Sequence, residues 1–174
     1  MRHRQALSCL TLLLFILVSS SASTLDDTCK SVAARNKYIS YNYCILFFQA
    51  NNTNPTADKR GLVVIAIKIT QVEAANTRKR IDALMASGTD NKVNGCLFEC
   101  HVHYTITLNC LEAAVKGIES GNLQDTEVTL RGVISRIDTC EEGFRKLGIK
   151  SLLAAEDATF TAGCSIALTI TSML

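Results

Sequence analysis

Tryptophan is absent from the 174 residues, proline occurs once, and the aromatic side chains are four Tyr and six Phe. With a single Pro55 and only short β-branched runs, the composition leans to an all-α fold. Lys and Arg number 18 against 16 Asp and Glu, with no basic tract. A chain this balanced, with few aromatics to interleave with cations, lacks the electrostatic footprint of a nucleic-acid binder. The nine glycines form no phosphate-cradling loop, nucleophile elbow or calcium loop. There is no internal repeat and no low-complexity segment. What is present is 48% hydrophobic and 20% charged residues, enough for one domain with a proper core.

The eight cysteines take their meaning from the N-terminus. Residues Met1 to Arg4 are basic, Ala6 to Val18 is almost wholly apolar, and Ser19 to Ser23 is small and polar. This pattern reads as a secretory signal peptide over 1–22, cleaved near 22–24. The apolar run is too short for a spanning helix, which needs about 20 residues. No later stretch is long and apolar enough either, so export as a soluble protein is expected. Arg2 and Arg4 supply the two excess positive charges, so the mature chain is neutral. Cleavage also removes Cys9. In an oxidising compartment the remaining cysteines favour disulfides.

Apolar residues recur at helical spacing on both sides of Ser120-Gly121-Asn122. Upstream run Val93, Leu97, Cys100, Tyr104, Leu108, Leu111, Val115 and Ile118; downstream run Leu130, Val133, Ile137, Cys140 and Phe144. Gly-Asn is a helix stop and a turn. Cys100 and Cys140 each lie 20 residues from position 120, so a chain folded back there brings them to the same height, and a disulfide between them staples the helical hairpin. A smaller module is closed by Cys29 and Cys44, with Thr28 as cap of a helix starting at Cys29, a break at Asn36-Lys37 and a second short helix from about Tyr41. Further helices are expected from Thr56 to Ser87, with stripes Leu62, Ile65, Ile69, Val72 and Ile67, Ala74, Ile81, Met85, and from Ala155 to Leu174. Together with Asp90 to Ser120 and Thr126 to Phe144 they make an antiparallel up-down-up-down four-helix bundle over 56–174, preceded by a helical hairpin extension over 23–55. Asn51-Asn52-Thr53 is an N-glycosylation acceptor beside a loop at Asn54-Pro55.

Candidate chemistry is sparse. Cys96, Cys100, His101 and His103 carry zinc-ligand atoms, but on a helix His101 is turned about 100° and His103 about 300° from Cys100, so the four do not converge. No Asp or Asn is placed to orient a Cys–His nucleophile pair. Asp26-Asp27 and Glu141-Glu142 are adjacent in sequence and point to different sides. Cys96, Cys110 and Cys164 remain after the two pairs. Cys96 and Cys110 are about 21 Å apart along one helix and cannot bond to each other. Cys110 could meet Cys164 if the last helix packs beside it; otherwise the three are small buried hydrophobes. The chain reads as a rigid binding body and not as an enzyme.

Thr28-Cys29, Tyr43-Cys44, Cys100 with Tyr104, Thr139-Cys140-Glu141-Glu142-Gly143-Phe144 and the aliphatic Ala167-Leu168-Thr169-Ile170 resemble the plant invertase inhibitor and pectin methylesterase inhibitor family, with most similarity to its tree-pollen allergen type. The resemblance covers nearly the whole mature chain. It implies a four-helix bundle with an N-terminal hairpin, Cys29–Cys44 and Cys100–Cys140 disulfides, and no cofactor or metal. It implies one-to-one plugging of the substrate cleft of a cell-wall or vacuolar enzyme: an acid invertase first, a pectin methylesterase as the alternative. A reading from another class is a stored, allergenic or apolar-ligand-carrying bundle without an enzyme target. Some invertase inhibitors of the family carry Pro-Lys-Phe just after the second bundle turn. Those positions are Leu123, Gln124 and Asp125 here, which makes these three the candidate target contact. A lysine there would suit the carboxylate pair of a glycoside hydrolase; Gln124 is neutral and Asp125 repels it. The implied location is the apoplast, cell wall or vacuole, and the implied state a monomer or a dimer through the hairpin.

Overall fold

The computed structural model describes residues 24–51 and 57–174. The leader expected over 1–22 lies outside them. Six helices and no strand occur among the described residues. α1 covers 24–35, α2 Tyr41–Gln49, α3 Lys59–Ala86, α4 Asn91–Ser120, α5 Leu123–Lys146 and α6 Ala154–Thr171.

α1 and α2 form the hairpin. Asn36 accepts from the Tyr38 amide through its side chain, and Ser40 Oγ accepts from the Tyr43 amide at 3.1 Å, so the turn and the N-cap of α2 are both built from short polar side chains. Cys29 and Cys44 are bonded with Cα atoms 5.5 Å apart. Tyr41 donates across the hairpin to Asp26, which also pairs with Lys30. Thr28, expected at the cap position, instead lies inside α1, fully buried, its hydroxyl without a partner. α1 begins a turn earlier than Cys29, which puts Thr28 on its inner face.

α3 packs on α4 and α6, and α5 packs on α4 and α6, closing a four-sided bundle. Connections of a few residues force each helix antiparallel to the one before it. Asp58 caps α3, its carboxylate accepting from the Gly61 amide at 2.8 Å. The helix therefore starts at Lys59, three residues after Thr56, and α6 likewise stops at Thr171. Gly88, Gly121 and Gly148 close α3, α4 and α5 in the left-handed region, with φ of 80°, 83° and 67°. The stripe of α5 is buried throughout, from Leu130 to Phe144. That of α3 departs from expectation: Val72 is 61% exposed and Ile65 half-buried, while Val63, Ala66 and Thr70 are buried. α3 meets α4 on one side and α6 on the other, so its inner face is rotated and broader than a single row.

Close approach explains two glycines inside helices. A Cβ on Gly163 of α6 would stand 2.6 Å from Thr70 Oγ1 and 3.2 Å from the Phe47 ring. This is where α6, α3 and the hairpin meet. A Cβ on Gly117 of α4 would overlap Thr126 Oγ1 of α5.

Candidate functional site

The α4–α5 turn forms one exposed end of the bundle. Asn122 N donates to Gly117 O at 2.8 Å and Gly121 N to Ile118 O at 3.2 Å, so the last carbonyls of α4 are satisfied by the chain reversal itself. Arg60 of α3 also donates to Ile118 O, placing a guanidinium at the negative end of α4. Asn122 O accepts both the Thr126 amide and its hydroxyl, at 3.1 and 2.9 Å, which starts α5 directly after the turn. Leu123, Gln124 and Asp125 are therefore the first turn of α5, not part of a loop ending at Thr126. Leu123 is half-buried against the core; Gln124 and Asp125 are exposed. Asp125 sits where the helix dipole favours a negative charge.

Beside this turn runs an open groove of about 400 Å³ lined in part by Lys116, Ser120, Asn122, Asp125 and Thr129. Lys116 is paired with Glu112 at 2.8 Å, both exposed; each raises or lowers the other in the usual sense, Lys116 upward and Glu112 downward. The groove offers an ammonium, hydroxyls, an amide and a carboxylate. Lys116 Nζ is bonded to Glu112 at 2.8 Å and Ser120 Oγ donates to Gly117 O at 3.3 Å, so these groups are engaged locally at the rim of the groove. Arg60, Lys116 and the Gly117–Thr126 contact were not legible as site residues. Their only sequence signal is a glycine inside a helical run. A separate apolar strip, Phe98, Val102 and Ile106, lies exposed along the outer side of α4.

Cys100 and Cys140 are bonded with Cα atoms 4.9 Å apart, and both are buried. Against this bond lies a buried polar cluster. Tyr104 of α4 donates to Asp157 Oδ1 of α6 at 2.5 Å, Asp157 Oδ2 is 3.7 Å from Cys140 Sγ, and Glu141 of α5 lies beside it. Ser151 donates to Glu141 and accepts from the Leu153 amide, tying the α5–α6 connection to the same cluster. Burial, with Glu141 adding to it, pushes the Asp157 carboxyl up to about 8. Burial also pushes the Tyr104 phenol upward. Asp157 thus holds a proton that a neighbouring carboxylate can accept in a hydrogen bond. Cys140, Glu141 and Asp157 bring ligand-type atoms within 4.8 Å of each other. The sulfur is committed to a disulfide and one carboxyl is protonated, so the cluster is structural. Asp157 falls on the same buried row of α6 as Phe160 and Cys164, a spacing from which its burial could have been read.

The cysteines and histidines of the weighed zinc set part company. Cys100 is in the disulfide, Cys96 is a buried free thiol, and His101 pairs with Asp82 of α3 at 3.2 Å. His103 Nδ1 is buried without a partner. Cys110 and Cys164 are not bonded: Cys164 is buried where α6 packs on its neighbours, and Cys110 is half-buried on α4. Asn51 is exposed and donates to Phe47 O at 2.9 Å; Asn52 and Thr53 of its acceptor sequence lie outside the described residues.

Comparison with known proteins is consistent over nearly the whole chain. The family model for plant invertase/pectin methylesterase inhibitors matches residues 23–170. The chain is 27% identical over 164 residues to the "Putative invertase inhibitor" of Platanus acerifolia, covering 94% of this chain and 92% of that one. It is 24% identical over 180 residues to pectinesterase inhibitor 1 of Arabidopsis thaliana, covering 100% of this chain and 96% of that one. The crystal structure of a mutant form of a pectin methylesterase inhibitor from Arabidopsis has the same fold, with a TM-score of 0.68 at 22% identity, over 77% of this chain and 89% of that one.

Proposed function

Because the chain belongs to the plant invertase/pectin methylesterase inhibitor family, whose members block enzymes and are not enzymes, we propose that it inhibits an acid invertase by one-to-one binding. The observation that carries this reading is the family match over residues 23–170, which takes in both the hairpin and the bundle. The N-terminal leader pattern supports export to the apoplast, cell wall or vacuole, with residues 23–55 as the hairpin extension and 56–174 as the bundle body. Asn51 is an exposed acceptor for a glycan on that route.

The contact surface proposed is the α4–α5 end. Gln124 and Asp125 project there from a rigid first helical turn, backed by the groove that holds Lys116. With no Lys at 124, the cation offered to an acidic cleft is Lys116. The exposed strip Phe98, Val102 and Ile106 lies about 21 to 33 Å back along α4 from that end, so it is not part of this contact surface. A carrier of apolar ligands is disfavoured. The interior is filled by Tyr104, Phe144 and Phe160 of the bundle and Phe48 of the hairpin, and the described clefts of about 260 to 400 Å³ are open at the surface, including the one with an aliphatic lining of Ile65, Ile69 and Val72.

A second reading, inhibition of a pectin methylesterase, rests on the Arabidopsis pectinesterase inhibitor that aligns with the full chain. Titrating purified mature protein at acid pH against several plant acid invertases, and in parallel against a plant pectin methylesterase, separates the two. The expected result is stoichiometric loss of invertase activity. No effect on invertase at micromolar protein overturns the first reading, and loss of esterase activity alone establishes the second.

A further inference from the structure

Glu73 of α3 lies under the hairpin. Its Oε2 is shut off from solvent and has no hydrogen-bond partner. The point where a Gly163 Cβ would stand is 3.5 Å from this oxygen and 3.2 Å from the Phe47 ring, so α3, α6 and α2 converge on one carboxyl. The groups facing it offer no counter-charge. From α2 it is approached by Tyr43, whose phenol is pushed upward by burial and by Glu73 itself. From α6 comes the buried Cys164 thiol, also pushed upward by burial and by Glu73. On its own helix the Thr70 hydroxyl is spent on Ala66 O. Arg80, two turns on, is held by Glu156 at 3.0 Å and by Leu152 O. No Lys, Arg or His pairs with Glu73 among the described residues.

Glu73 is half-buried and lines an open cleft with Arg80 and Glu156, but with one oxygen desolvated and unpartnered its carboxyl is favoured as the neutral acid over the anion. The Cys29–Cys44 bond ties α1 to α2 and leaves the hairpin without a covalent cross-link to the bundle. We propose that the α1–α2 hairpin is a pH-gated cover, docked on α3 and α6 over a protonated Glu73 and released from them when that carboxyl ionises. The inference does not depend on which enzyme the protein inhibits. Release uncovers two facing surfaces, Phe47 on the hairpin and the Thr70–Gly163 seam of α3 and α6 on the bundle, available in a neutral compartment and closed in an acidic one.

The direction follows from proton linkage. Burial raises the Glu73 carboxyl from an ordinary 4.5 to about 7 while the hairpin is docked. Docking therefore retains a proton between those limits: it is strongest below pH 4.5, weakens as pH rises to about 7, and is constant above that. Hydrogen–deuterium exchange on the mature, disulfide-intact protein tests this, read peptide by peptide from pH 5 to 8 and corrected for the intrinsic exchange rate. The opening constant of α2 should rise by up to about tenfold per pH unit between pH 5 and 7, then level off. Glu73→Gln, neutral at every pH, should abolish the rise, and Glu73→Met, apolar and of similar length, should do the same if the amide folds poorly. An α2 that opens equally at pH 5 and 7 in the wild type, or the same rise in both variants, overturns the proposal.

Discussion

Asp157 occupies a position on α6 where the helical period calls for an apolar residue, and it is 3% exposed. Its cost is offset because the carboxyl stays protonated between Tyr104 and Glu141. The folded-state value of about 8 against an ordinary 3.8 means that the native chain holds a proton the unfolded chain releases across that interval. Stability from this group is complete below pH 3.8 and drains away as pH rises to 8. Glu73 acts with the same sign up to about 7. The thermal midpoint should thus be higher at pH 5 than at pH 8, by on the order of 3 kcal/mol from Asp157, or roughly 10 °C. Asp157→Asn keeps an acceptor for Tyr104 and gives Glu141 a donor without titrating. Scanning calorimetry on this variant should leave only the shallower slope due to Glu73.

Helix against helix, the glycines separate into two kinds. Gly132 of α5 has open space where a Cβ would stand, and it is exposed. Gly132→Ala should therefore gain helix propensity, about 0.5–1 kcal/mol. Gly163→Ala gains the same propensity but drives a methyl into Thr70 Oγ1, whose hydroxyl is fixed on Ala66 O, and against Phe47. Overpacking of this kind costs about 1–3 kcal/mol, so the net effect should be a loss of roughly 1–2 kcal/mol. Urea unfolding of the two variants would show midpoints moved in opposite directions. Equal shifts would mean that α6 can move away from α3 freely.

The whole molecule was legible where one physical rule acted alone. Hydrophobic period and glycine stops gave four long helices, because Gly88, Gly121 and Gly148 each close a helix in a conformation other residues resist. The α5 stripe was read correctly because α5 is strongly amphipathic; the α3 stripe was not, because contact with two neighbours spreads its buried face past Ile65 and Val72. At the candidate site, the place of Gln124 and Asp125 just after the turn follows from Gly121-Asn122, but their setting in a helical first turn does not, since it depends on Asn122 O taking two donors from Thr126. Asp157 is legible from its spacing with Phe160 and Cys164, whereas Glu73 is not, because a charged residue without such a row is read as exposed until tertiary packing says otherwise. All four bonded cysteines are at most 1% exposed, while Cys110 is half-buried. A native protein treated with dithiothreitol and then alkylated should be labelled at Cys110 before Cys100 and Cys140, with the Cys100–Cys140 bond intact by intact mass until urea is added. Ready reduction of Cys100–Cys140 without urea would show that the bundle itself opens.

The contact between Asp157 and Cys140 also sets an order on biogenesis. α6 follows α4 and α5 in the chain, and once seated it places a carboxyl 3.7 Å from the Cys140 sulfur and closes the bundle over it. Cys100 and Cys140 are most open to an oxidant while α4 and α5 are already paired and α6 is not yet docked. A chain that passes this interval unoxidised seals two thiols in its core. The final helix is in this sense the lid on a chemical step finished before it arrives.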